Sequence, residues 1–280
     1  MTNIISFQGF HGAYSDLSCR TVFPDYETLP CTSFDDAFKA VQTSTANLAM
    51  IPVDNSLAGR VADVHHLIPD SNLHIIGEHF QPVRHALVAA KGADINGLKH
   101  VHSHIHAIPQ CRKIIAELGL EAHVHVDTAG AAKDVATMND PAHAAISSTL
   151  AAEIYGLDVL REDVQDANHN TTRFLILSPE KQTPAQTDNA MTSILFTVRN
   201  IPAALYKSLG GFASNGLSMS KLESYVSPTF EAAQFYVDVE GHVDSPAFQN
   251  ALEELNFYAK DVKILGCYPA HSFRQKPQNS

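Results

Sequence analysis

Three short segments of this chain gather polar side chains where apolar runs end. Ile51-Pro52-Val53-Asp54-Asn55-Ser56-Leu57-Ala58-Gly59-Arg60 passes from a buried-looking strand into an amide, a hydroxyl and then a guanidinium. Val101-His102-Ser103 ends a second strand and leads to Gln110. Asn170, Thr172 and Arg173 stand immediately before the apolar run Phe174-Leu175-Ile176-Leu177. Such donors grip small anions, and strand ends of α/β folds add the outward N–H groups of following helices. Each segment also has a plainer alternative. Asn55, Ser56 or Ser103 can cap a helix, and a Thr-Arg pair can sit on an edge strand. A fourth feature is the run His100, His102, His104, His106, whose alternate members share one face of a strand and invite a metal. No carboxylate or cysteine stands beside them at ligand spacing, so they read as scattered polar histidines and no metal is assigned.

The elements that must position these groups alternate along the first 180 or so residues. Residues 4–7 and 48–53 read as buried strands, with a helix between them capped by Ser33 and carrying Phe34, Phe38 and Val41 at helical spacing. A strand near Val101, a helix over 111–118 closed by Gly119 and a strand over 123–126 follow. Then come a helix from Thr128 with Ala131, Val135 and Met138 on one face, a strand over 144–146 and a helix ending at Gly156. This rhythm predicts an α/β fold with a mostly parallel sheet. Residues 73–90 and 158–177 break it and read as two crossovers between lobes, with Thr172 and Arg173 both facing the cleft so formed. Polar, aperiodic residues 179–190 read as a linker. Beyond it a strand (Ile194, Phe196, Val198) is followed by a helix (Ile201, Leu205, Leu209, Phe212) ending near Gly210-Gly211. A strand over 217–225, a strand with Phe235, Val237 and Val239, a helix opened by Ser245-Pro246 and a strand over 262–267 complete a ferredoxin-like βαββαβ unit. The expected boundaries are 1–178 (lobe one about 1–75 and 160–178, lobe two about 76–159) and 191–270.

Composition excludes several partners. The net charge of −11 repels phosphate backbones, so nucleic acid is not expected, and an anionic ligand would need locally placed donors. The first residues show no signal-peptide pattern and no apolar run reaches about 18 residues, so a cytoplasmic protein without membrane attachment is expected. Cys19, Cys31, Cys111 and Cys267 form no close pair and read as reduced thiols.

The polar segments resemble the motifs of the prephenate dehydratase family, over nearly the whole chain. Gln8-Gly9-Phe10-His11-Gly12-Ala13-Tyr14-Ser15 is similar to its N-terminal glycine–tyrosine–serine motif. Pro52 to Gly59 resembles its Pro-(Val/Ile)-Glu-Asn-Ser-x-x-Gly signature, with Asp54 for the usual glutamate. Ser103-His104 and Gln110-Cys111 match the ends of a third motif, and Asn170-Thr171-Thr172-Arg173-Phe174 is the Asn-x-Thr-Arg-Phe signature. The resemblance implies a two-lobed catalytic domain like a type II periplasmic binding protein, followed by a ferredoxin-like ACT regulatory domain. It implies conversion of prephenate to phenylpyruvate without metal or organic cofactor. Thr172 is then the essential threonine, with Asn55, Ser103, Gln110 and Arg173 as substrate-binding residues. L-phenylalanine would bind between subunits of a homodimer or homotetramer, at Asn200, Ala203, Ala204 and Leu205 of one copy and Glu223 and Ser224 of another. Two alternatives are the same chemistry on arogenate and a non-catalytic amino-acid sensor. Two departures carry consequences. Pro109 lies downstream of the family's proline, which predicts a later helix start. Tyr225-Val226 replaces an Arg-Pro pair, which predicts weaker phenylalanine inhibition.

Overall fold

A computed structural model describes residues 2–186, 189–199, 201–226 and 232–275. The chain runs β1 (Ile4–Gln8), α1 (Tyr14–Val22), β2 (Glu27–Cys31), α2 (Phe34–Gln42), β3 (Leu48–Asn55), β4 (Gly59–Arg60), α3 (Ala62–Asp70), β5 (His74–Pro82) and β6 (Ala86–Ala89). It continues through β7 (His100–His104), α4 (Arg112–Glu117), β8 (Glu121–His125), α5 (Thr128–Met138), β9 (His143–Ser147), α6 (Thr149–Tyr155), β10 (Asp158–Arg161) and β11 (Thr171–Ser178). The last part is β12 (Ala190–Val198), α7 (Ala204–Ser214), β13 (Met219–Val226), β14 (Ala232–Glu240), α8 (Pro246–Tyr258) and β15 (Ala259–Pro269).

Local chemistry sets many of these boundaries. The Ser33 hydroxyl accepts the Asp36 N–H at 3.1 Å and so caps α2. Ser245 does the same for α8 through Phe248 N–H at 3.3 Å, with Pro246 in the first turn. Gly156 ends α6 in the left-handed conformation. Pro109 sits in a short 3₁₀ turn over Ile108–Gln110, and α4 begins only at Arg112, the delay expected from the displaced proline. One boundary differs from expectation. Gly210 and Gly211 do not stop α7, which runs on to Ser214. A side chain at Gly211 would come within 2.8 Å of Glu254 Cβ, so the glycine serves close packing of α7 on α8.

The strands form three sheets. The first has the order β2-β1-β3-β11-β5, with β4 paired to β3, and β1 runs parallel to both β2 and β3. The second has the order β10-β6-β9-β7-β8. It is mixed rather than mostly parallel: β7 is parallel to β8 and β9, whereas β6 is antiparallel to β9 and β10. Because β5 belongs to the first sheet, the outgoing crossover is confined to residues 83–85, later than the lobe boundary expected near residue 75. The third sheet, β13-β14-β12-β15, carries α7 and α8 around a core that includes Phe196, Phe212, Phe235 and Phe248. The fold is thus α/β, with two lobes of the type II periplasmic-binding-protein kind and a ferredoxin-like C-terminal sheet. Contacts divide the chain into two compact units, Met1–Leu67 with His79–Phe174, and Ile68–Glu78 with Leu175–Ser280. Among the described residues no helix is long and apolar enough to cross a membrane.

Candidate active site

A cavity of about 600 Å³ opens within the first unit, its walls including Tyr14, Asn55, Arg60, His104, Asp127 and Thr172. Strand β11 decides which of its residues take part. Successive strand residues point to opposite faces, so Thr172 and Phe174 line the cavity while Arg173 turns away. Arg173 is buried, and its Nη1 lies 3.8 Å from Asp54 Oδ2. Alternation thus parts the two residues that the sequence expectation placed together on the cleft. Ser103 is also outside the wall. It is fully buried and donates to the Ile146 carbonyl at 2.6 Å, which ties β7 to β9.

Thr172 is held by a chain of neutral groups. Asn55 Nδ2 donates to Thr172 Oγ1 at 2.9 Å and to Asn170 Oδ1 at 2.7 Å. Asn55 Oδ1 accepts the Leu57 and Ala58 N–H groups at 3.0 and 2.8 Å, which shapes the turn into β4 and fixes the amide's orientation. Asn170 Nδ2 donates to Gln110 Oε1 at 2.5 Å. Gln110 also interacts with the His85 side chain, and His85 Nδ1 lies 3.0 Å from Tyr14 Oη. Burial pushes His85 down to about 4, against a smaller opposing effect of Gln110, so the imidazole is neutral near pH 7. Burial, with Cys111 and Asp163 adding to it, holds the Tyr14 phenol well above its ordinary value. The network therefore runs from Tyr14 to Thr172 without a formal charge.

The glycine–tyrosine–serine segment acts as a strap between the lobes. Gly12 has φ +88°, and a Cβ there would meet Ala151 Cα at 2.6 Å, so only glycine fits. Ser148 Oγ donates to Gly12 O at 2.5 Å, Tyr155 Oη to His11 O at 2.8 Å and Tyr14 Oη to Arg84 O at 2.6 Å.

Three cavity residues escaped the sequence reading of the site. Asp127 caps α5 by accepting Ala129 and Gly130 N–H at 2.7 and 2.9 Å. Burial raises its carboxyl, against those two backbone donors and the nearby His104 and His125. Burial, reinforced by His106 and opposed by Asp127, lowers His104. Arg60 is the one permanent cation among the described residues on the wall. Arg60 had a signal as the end of the first polar segment and His104 as part of the Ser103-His104 match; Asp127 needed the fold.

The second-unit positions are less complete. Asn200 lies outside the described residues. Ala203 is the N-cap of α7, Ala204 is buried at its start and Leu205 packs on the core. Glu223 and Ser224 lie on β13, where Lys221 Nζ is 3.5 Å from Glu223 Oε1.

A family model described as prephenate dehydratase matches residues 5–182. The chain belongs to the prephenate dehydratase family. Relatives in that family agree over almost the full length. A bifunctional N-acyl-homoserine lactone acylase/prephenate dehydratase of Komagataeibacter europaeus is 49% identical, with 98% of each chain covered. Arogenate dehydratase/prephenate dehydratase 2 of Arabidopsis thaliana is 38% identical over 95% of this chain and 72% of its own. The crystal structure of prephenate dehydratase in complex with L-Phe from Arthrobacter aurescens superposes with a TM-score of 0.87 at 30% identity, covering 95% of this chain and 90% of that one. Membership makes the chain a carbon–oxygen lyase of the dehydratase kind.

Proposed function

We propose that the chain removes hydroxide and CO₂ from prephenate to give phenylpyruvate, with Thr172 as the donor to the leaving oxygen. One observation carries this reading: Thr172 Oγ1 accepts from Asn55, which leaves its own proton to donate into the cavity. A threonine hydroxyl is too weak an acid to protonate the leaving group outright. A preorganised donor whose bond strengthens as charge develops stabilises the transition state by about 3–4 kcal/mol. The reaction forms an aromatic ring, so the remaining demand is to hold two carboxylates, a task that suits the Arg60 cation on the cavity wall. The deciding experiment is turnover of purified protein on prephenate, followed by phenylpyruvate absorbance. Efficient turnover supports the proposal, and none overturns it.

Arogenate is the second reading, and Asp127 favours it, because a cavity carboxylate can pair with the amino group that prephenate lacks. Parallel kcat/KM measurements on the two substrates separate the readings. The name of the Komagataeibacter relative adds N-acyl-homoserine lactones as a third substrate class for the same assay series.

The ferredoxin-like unit is, on this proposal, an ACT domain that binds L-phenylalanine through α7 and β13 of neighbouring copies in a homodimer or homotetramer. In support, β13 is an edge strand, and Tyr206 and Leu222 expose apolar surface nearby. A cytoplasmic setting fits the four free cysteines.

A further inference from the structure

The histidine run on β7 does not stand alone once the sheet is assembled. Strands β7 and β8 are parallel with His100 opposite Glu121 and His102 opposite His123. Alternation along both strands brings His100, Glu121 and His123 to the same sheet face. His100 Nδ1 lies 3.2 Å from His123 Nε2 and 3.4 Å from Glu121 Oε2, while His123 Nε2 lies 3.9 Å from Glu121 Oε1. All the ligand atoms fall within 4.8 Å of one another. We propose that these three side chains bind one divalent ion of the zinc, cobalt or nickel class.

The geometry fits the ion before it arrives. A tetrahedral centre with metal–nitrogen bonds of about 2.05 Å has ligand atoms about 3.3 Å apart, close to the separation of the two imidazole nitrogens. The two nitrogens face each other at 3.2 Å, and an ion would sit between them. Two nitrogens and a carboxylate oxygen suit borderline metals and leave a fourth position for water. The side chains are 29%, 68% and 39% exposed for His100, Glu121 and His123, and β8 is the sheet edge, so the ion has an open approach. His100 lies four residues, about 13 Å along the strand, from His104 at the cavity wall. The site is therefore separate from the proposed chemistry, and a bound ion would pin the edge strand to its neighbour.

The test is titration of the untagged, metal-free full-length chain with CoCl₂, read by visible ligand-field absorption, with ZnCl₂ as competitor. One saturable equivalent of tetrahedral type is expected. The affinity should fall at least tenfold in His100→Gln and in His123→Gln, less in Glu121→Gln, and stay unchanged in His271→Gln. ZnCl₂ should raise the Tm of the wild type and leave that of the triple variant His100→Gln/Glu121→Gln/His123→Gln unmoved. Melting without metal checks that each variant folds. Absence of saturable binding below millimolar cobalt, or equal affinity in the triple variant, overturns the proposal.

Discussion

Thr172 depends on one amide, and every hydrogen-bonding group of that amide is committed: two donors to Thr172 and Asn170, one carbonyl to two backbone N–H groups. Thr172→Val keeps the shape and removes the donor, so kcat should fall about 10²–10³-fold, while Thr172→Ser retains far more. Wild-type turnover of the valine enzyme would remove Thr172 from the chemistry. Arg173 carries a different expectation. Its guanidinium is buried beside Asp54 and off the cavity wall, so Arg173→Leu should destabilise by about 3 kcal/mol, mainly by removing one member of a buried ion pair. The KM of the folded fraction should stay within a few-fold. A large rise in KM at unchanged Tm would instead put the guanidinium on the substrate. His85 makes stability pH-dependent. Its folded value of about 4 lies below the ordinary 6.5, so on acidification the unfolded chain takes up the proton first. The contribution is complete above pH 6.5 and declines as pH falls towards 4, by about 3 kcal/mol in all. His85→Gln cannot titrate, so its stability curve over that window should be flatter by this amount; parallel curves in thermal melts would refute the assignment.

At the level of elements, α7 begins on a strained residue. Ala203 holds φ +61° at the N-cap, where a left-handed backbone costs an L-residue about 1–2 kcal/mol. Glycine relieves that strain but loses about 0.5–1 kcal/mol of chain entropy. Ala203→Gly should therefore stabilise by about 0.5–1 kcal/mol, seen as a higher Tm; a lower Tm would show that the methyl group packs usefully. What the sequence revealed follows the same division between local and distant causes. Ser33, Ser245-Pro246 and Gly156 were legible because a cap needs only its own turn. Thr172 was legible from its motif, whereas the turned-away Arg173 required the two-residue alternation to be carried through β11. Gly211 reads as a helix stop until α8 is seen against it. Glu121 joins the histidines, and Asp127 the cavity, only through strand register and lobe pairing, which no local pattern encodes.

At the scale of the molecule, the second unit includes residues from far upstream. Glu78, whose side chain is fully buried, accepts from Arg274 Nε at 2.6 Å and Nη2 at 2.8 Å, and from His271 N–H at 3.1 Å. The linker read over residues 179–190 predicts that a chain ending near Thr187 folds and stays active. The Glu78 contacts add that such a chain should melt lower than the full-length protein, and that Glu78→Gln should restore part of the difference. Equal melting of truncated and full-length protein would contradict this. Heat on titration with L-phenylalanine should appear in the full-length chain and vanish in the truncation. The crossovers between the lobes have a mechanical meaning of their own. They run side by side, with Val83 N–H on Asn170 O and Val164 N–H on His85 O, each at 2.9 Å. Two adjoining tethers by themselves make a hinge, which leaves one rotation free. The Gly12 strap is a third attachment, seated hard on Ala151. Opening the lobes as a jaw would have to break the strap, whereas the short exposed segment of residues 56–60 borders the cavity through Ala58, Gly59 and Arg60 and needs only a few backbone torsions to move.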